Sequence, residues 1–329
     1  MLQPQEFWTP DTLKTTIKTL DYSAIAWVVH QKITALLPTF QQELKASHGT
    51  EELLNKTYSY DDNVQIQFFF NVVNFAYWAP QGVEKWAFSG TGEDGSYGLY
   101  HAFEQQKAHL DSWDATRMAN LTIHEFDTLL GTDLSIPMRE ERLSMLQSAG
   151  KDLLRCTSSG RASELIEQAD HSATRLVQIL CEEFSSYQDL STWQGNDHLP
   201  FMKRAQLFIK VVNDAGILAG KDPLQHLDAL TAFSDYKVPQ VLFDLGLIQY
   251  APSLRAQLDS WTELNKNSDE EVAIRMVTIE AVEAIRTALS KIGIETNAAE
   301  IDSILWRLGT KKKEGSAPSL YHRTRTSAY

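Results

Sequence analysis

The chain is short of cysteine, of positive charge and of long apolar runs. Its two cysteines, Cys156 and Cys181, stand far apart with no CxxC spacing. That excludes a thiolate zinc knot and points to a reduced, cytoplasmic setting. Acids outnumber bases and leave a formal net charge of −13. A general binder of polymeric nucleic acid needs a basic surface, so none is expected. A nucleotide-sized substrate in a local basic pocket stays compatible with this balance. No stretch approaches the roughly 20 apolar residues of a membrane span, and no membrane partner is expected. The opening MLQPQEFWTPDTL reads neither as a basic signal peptide nor as a transit sequence.

Several catalytic signatures are missing as well. There is no P-loop and no GxSxG. Residues 90–95, GTGEDG, carry the letters of a dinucleotide loop. Glu93 and Asp94 would repel a pyrophosphate there, and no βαβ pattern follows, so the segment reads as an acidic turn. HEFD at 124–127 lacks the second histidine of a zinc helix.

What the chain does have is 43% hydrophobic content over 329 residues, enough for a sizeable core. Apolar residues recur at helical spacing in 23–40, 162–184, 269–293 and 299–309. Ser268-Asp269 and Gly293 supply start and stop signals for the third of these. Strand-like pieces are confined to 63–78 and 85–90, rich in aromatic and β-branched residues. The expected fold is mainly α with a small β element in the first third. It reads as one domain and one monomer. An N-terminal α/β portion of about 1–150 packs on a helical portion of about 151–310, and a tail, 311–329, returns to the body. Thr310 to Pro318, TKKKEGSAP, is the one linker-like stretch.

Four stretches carry candidate chemistry. AFSDYKVPQVLFDLG at 232–246 sets Asp235, Tyr236 and Lys237 side by side before Pro239. Proline fixes its own φ and suits a first helical turn, so the three polar residues sit on a stiff helix entry. A plain helix cap is the alternative use of Asp235. NVVNFAYW at 71–78 joins Asn74 to Phe75, Tyr77 and Trp78, a set that stacks on and reads a planar base, or simply fills a core. FMKRAQLFIKVV at 201–212 starts an apolar helix with Lys203, which either snorkels to solvent or points into a pocket beside a carboxylate. The tail SLYHRTRTSAY reads as a solvated basic end or as one added strand. In the folded case His322, Arg323 or Arg325 would reach a phosphate. Glu271 and Arg275, four apart on one helix, read locally as a stabilising pair.

Taken together the motifs resemble one family. NVVNFAYW, GSYGLYHAF, IPMREERLSML, KRAQLF, SDYKVPQVLFDLGLIQYAPSL, EEVAIRMVTIEAVEAI, IDSILW and YHRTRTSAY fall in the order of the queuosine salvage proteins, from about residue 20 to 329. The resemblance implies a helical fold similar to helix-hairpin-helix DNA glycosylases. It implies cleavage of queuosine 5′-monophosphate to queuine and ribose 5-phosphate, feeding queuine back to tRNA modification, without metal or cofactor. It implies that Asp235 is the catalytic aspartate and Lys203 its partner. Asn74, Phe75, Tyr77, Trp78 and Tyr236 are then candidates for the base, and Lys237, Arg275 and His322 for the phosphate. Asp189 is a further candidate match. Ser327-Ala328 depart from the bulkier residues that the family carries before its final tyrosine. Outside the resemblance, the alternatives are a glycosylase for another modified nucleoside or nucleotide, and a non-catalytic helical module that binds a nucleobase.

Overall fold

The computed structural model describes residues 7–46, 53–105, 113–131, 135–195, 197–310 and 320–329. In chain order its elements are α1 (Pro10–Ile17), β1 (Ala26–Val28), α2 (His30–Ala46), α3 (Tyr60–Val72), α4 (Gly95–Gln105), α5 (Ala115–Ala119), α6 (Ile123–Leu130), α7 (Arg139–Cys156), α8 (Ser163–Gln168), α9 (Ala173–Glu183), β2 (Leu190–Trp193), β3 (Asp197–Pro200), α10 (Lys203–Leu218), α11 (Lys237–Asp244), β4 (Ile248–Tyr250), α12 (Pro252–Asp259), α13 (Asp269–Ser290) and α14 (Ala298–Thr310). The architecture is mainly helical, as expected. Among the described residues no helix is long and apolar enough to cross a membrane. The linker-like stretch after Thr310 lies outside the described residues.

The chain divides into two compact units, neither continuous in sequence. The first takes residues 1–49, 189–206 and 226–325. The second takes 50–188, 207–225 and 326–329.

The first unit is organised around α13. Ser268 caps it by accepting the Glu271 N–H at 3.3 Å, and Asp269, Glu270 and Glu271 place acids in the first turn. Val272, Ile274, Met276, Val277, Val282, Ile285 and Leu289 are buried, so α13 is a core helix. It packs against β1, α2, α11 and α14. Two small antiparallel sheets complete the unit. In one, Trp27 of β1 faces Gln249 of β4. In the other, Ser191 of β2 faces Leu199 of β3. At Gly309 in α14 a Cβ would meet Val241 Cγ2 of α11 at 2.3 Å. Glycine there lets the two helices approach closely.

The second unit is built on α3, which packs against α4, α7 and α8. Ser59 caps α3 by accepting the Asp62 N–H at 3.1 Å, and every residue from Asn63 to Val72 is buried.

Four sequence expectations are corrected. Residues 63–72 are helical, not a strand, and 73–78 follow as irregular chain. A helix buried on all sides shows no amphipathic period, so its aromatic run imitates a buried strand. Residues 85–90 form no strand beyond an isolated bridge between Ala87 and Asp94. Residues 23–40 do not make one helix. Trp27, Val28 and their neighbours pair with β4, and the helix begins only at His30. The β element of the first third is therefore β1. The helix expected over 162–184 is broken between α8 and α9, where Asp170 and His171 take φ of +51° and +54°. Aspartate and histidine tolerate that left-handed region better than most residues. The segment at 90–95 is a turn closed by the Phe88 N–H on the Glu93 carbonyl at 2.8 Å.

Candidate active site

The first unit gathers buried charge around the entry to α11. Asp235 stands just before that helix. Its Oδ1 accepts the N–H groups of Lys237 at 2.7 Å and Val238 at 3.0 Å. These amides have no partner within the helix, and Pro239 behind them needs none. Oδ2 is left facing the Lys203 ammonium at 3.8 Å. The oxygen that caps the helix and the oxygen that faces Lys203 are therefore different atoms of one side chain.

Lys203 is held by what precedes it. Met202 takes φ of +53°, and the Lys203 N–H donates to Asp189 Oδ2 at 3.0 Å. Arg275 of α13 closes on the same aspartate with Nη1 on Oδ1 at 2.9 Å and Nη2 on Oδ2 at 2.6 Å. Arg275 also donates to the Ser234 carbonyl at 3.2 Å and lies 3.9 Å over the Phe201 ring. The guanidinium is fully buried and bound to the protein's own carboxylate. Glu271 accepts the Asn267 N–H at 3.0 Å.

A third carboxyl belongs to this cluster. Asp302 of α14 is buried, and its Oδ2 accepts the Phe233 N–H at 2.8 Å. Burial, then the charge of Asp235, pushes its carboxyl up to about 8, against the pull of that N–H and of Lys203. Burial likewise pushes the Lys203 ammonium down, opposed by Asp235 and Asp302. Sequence reading missed Asp302. The available signal was an acid inside the buried face Ala298, Ile301, Ile304 and Leu305 of an amphipathic helix.

The remaining candidates of this unit have clear surroundings. Lys237 Nζ donates to Gln240 Oε1 at 2.9 Å, and the Tyr236 ring lies 5.0 Å from that of Tyr321. His322 is buried, and desolvation with the nearby Arg275 charge holds its imidazole neutral, down to about 3. Within the tail, the described residues 320–329 form no strand. Among residues 320–325, Arg323 accepts the Leu264 N–H on its carbonyl at 2.8 Å and lies 4.2 Å over Trp261.

Asn74, Phe75, Tyr77 and Trp78 belong to the second unit, and all four are buried. Tyr77 Oη donates to Asn74 Oδ1 at 3.0 Å. The Arg142 guanidinium lies 4.2 Å from the Phe75 ring centre and 5.0 Å from that of Tyr77. It also donates to the carbonyls of Val73, Phe75 and Ala76. In the same unit the Ala76 N–H donates to the Tyr329 carbonyl at 3.0 Å. Among the described residues no group of three or more His, Cys, Asp or Glu side chains is placed to hold a metal ion.

A family model described as queuosine salvage protein matches residues 53–329. The chain belongs to that family. Among its relatives, the queuosine 5′-phosphate N-glycosylase/hydrolase of Sphaerobacter thermophilus is 32% identical over 330 residues, covering 96% of this chain and 97% of that protein. The mouse protein of the same name is 29% identical, with 80% of each chain covered. That of Schizosaccharomyces pombe is 25% identical over 97% of this chain and 94% of its own. The salvage-family match takes in the whole charged cluster, from Asp189 to Asp302, and the described tail residues.

Proposed function

We propose that the protein hydrolyses the N-glycosidic bond of queuosine 5′-phosphate, releasing queuine and ribose 5-phosphate for queuine salvage. The observation that carries this reading is the divided Asp235 carboxylate. One oxygen is fixed by two backbone amides, and the other stays beside a buried ammonium in a chain of the salvage family. Breaking the bond from the anomeric carbon to N9 leaves positive charge on the sugar. An ionised carboxylate held in place stabilises that charge without reorganising. The base departs with the bonding electron pair and takes a proton. Water supplies the oxygen that ends on the anomeric carbon. A 7-deazaguanine has carbon at position 7, so protonation there cannot assist departure, and stabilisation on the sugar side carries more of the barrier.

In this reading Asp235 is the catalytic carboxylate and the Lys203 ammonium, 3.8 Å from its Oδ2, is its electrostatic partner. Lys237 is the cation proposed for the 5′-phosphate. Neutral His322 serves as an N–H donor and not as a charge. Arg275 acts through Asp189 as a positioning residue. Asn74, Phe75, Tyr77, Trp78 and Tyr236 are the proposed contacts for the base. We further infer a helical frame of the helix-hairpin-helix glycosylase type and a monomeric, cytoplasmic enzyme. The test is incubation with queuosine 5′-phosphate in the presence of a chelator, followed by detection of free queuine. Steady release is expected. No release, or release only after metal is restored, would overturn the reading.

A further inference from the structure

We propose that Asp302 is a positioning residue that stays a neutral carboxylic acid in the working protein, leaving the Lys203 ammonium to Asp235 alone. This rests on the hydrolase reading for its link to turnover, while the protonation state stands on the cluster itself. Asp302 is 4% exposed, in a helix face otherwise lined by Ala298, Ile301 and Leu305. Its Oδ2 holds the Phe233 N–H, two residues before Asp235. Among the described residues the titratable groups that act on it are Asp235, ahead of α11, and Lys203, at the start of α10. Asp189 and Arg275 beside them are committed to each other, and the buried Arg204 acts on Lys203. Asp235 and Asp302 are the two carboxyls left to meet the Lys203 ammonium, with little access to water.

Desolvation decides its state. With both carboxylates ionised, two buried negative charges would share one ammonium in a site with little water to solvate them. One proton relieves this. The proton belongs on Asp302, a deeply buried carboxyl that faces a single N–H on an apolar helix face. The direction found for Asp302, up to about 8, agrees. Ionising Asp302 would set a second carboxylate in competition for Lys203. It would also place an extra negative charge in a site that must take up a phosphate. Turnover should then fall on the alkaline side.

The stability consequence follows from linkage. A carboxyl held above its unfolded value of 3.8 loses its proton in the unfolded chain first. Its contribution to stability is complete below pH 3.8, falls as pH rises toward about 8, and is level beyond. Asp302→Asn keeps an acceptor for Phe233 and cannot ionise. The melting temperature of this variant minus that of the parent should widen between those two pH values and then stay constant. In activity against queuosine 5′-phosphate, the parent kcat should show an alkaline midpoint near 8 that the variant lacks, with the variant rate lower by less than about tenfold at neutral pH. A melting difference independent of pH, or an alkaline midpoint kept in Asp302→Asn, would overturn the proposal. If the variant does not fold, carbon NMR of aspartate-labelled parent replaces it: one aspartate carboxyl titrating near 8 supports the proposal, and none doing so overturns it. A parent without turnover that still shows the melting signature would count against the hydrolase reading and in favour of the neutral Asp302.

Discussion

Two carboxylate–cation pairs stand within one unit of this protein and are built to opposite specifications. Asp189 and Arg275 meet at 2.6 Å, bidentate, with both side chains at 0% exposure. Asp235 and Lys203 approach only to 3.8 Å, with 14% and 7% of the side chains exposed. In the first pair both oxygens and the fork of the guanidinium are committed to each other. In the second, one oxygen holds a helix end and the other is free to meet something else. The pairs are joined by one hydrogen bond, from the Lys203 N–H to Asp189 Oδ2. The closed pair sets where the open pair stands. A point charge on a flexible stem suits the open pair, and a rigid fork suits the closed one.

Breaking the closed pair should have the largest effect on the fold. Arg275→Ala strands a buried carboxylate, and the expected loss is about 3–5 kcal/mol in chemical unfolding. Losing that much with turnover per folded molecule unchanged would separate the two pairs. Breaking the open pair from its cation side should spare the fold and slow the reaction. Lys203→Ala is expected to lower kcat by about 10²-fold, the scale of one lost electrostatic stabiliser. A chain ended after Pro318 loses the buried His322, Arg323 and Thr324, and should lose on the order of tenfold in turnover. Unchanged activity in that chain would show that the tail sharpens neither pair. The smallest effect lies in acid. His322 is held neutral down to about 3, while an unfolded histidine protonates near 6.5, so stability should decline as pH falls between these values. His322→Gln should flatten that decline in a melting series.

The sequence carried the open pair well. Asp-Tyr-Lys-Val-Pro announces a stiff helix entry, and the order of motifs named Lys203 as its partner. It carried the closed pair poorly. Arg275 sits four residues from Glu271, so local spacing offered a helix-surface pair and gave no sign of Asp189, which the guanidinium grips from 86 residues away in the chain. Asp302 was hidden by the same limit, since an acid on an apolar helix face shows its meaning only when the facing groups are known. The strand expected at 63–78 failed for another reason. Phe68, Phe69 and Phe70 fit a pleated surface by composition, yet α3 is buried on every side, and burial on all sides erases the period that distinguishes helix from strand. Glycine-led close packing, as at Gly309, leaves no trace in pattern at all.

The most direct test of the account is Asp235→Asn, measured for binding and turnover on the same folded sample. Asparagine keeps the shape and an acceptor for the Lys237 and Val238 amides, and it removes the charge. If that charge stabilises the developing cation on the sugar, kcat should fall on the order of 10³-fold or more. The dissociation constant for queuosine 5′-phosphate should move far less, because the lost interaction is strongest in the transition state. A kcat within about tenfold of the parent, with the fold intact, would mean that Asp235 is a helix cap and nothing more, since asparagine caps as well as aspartate.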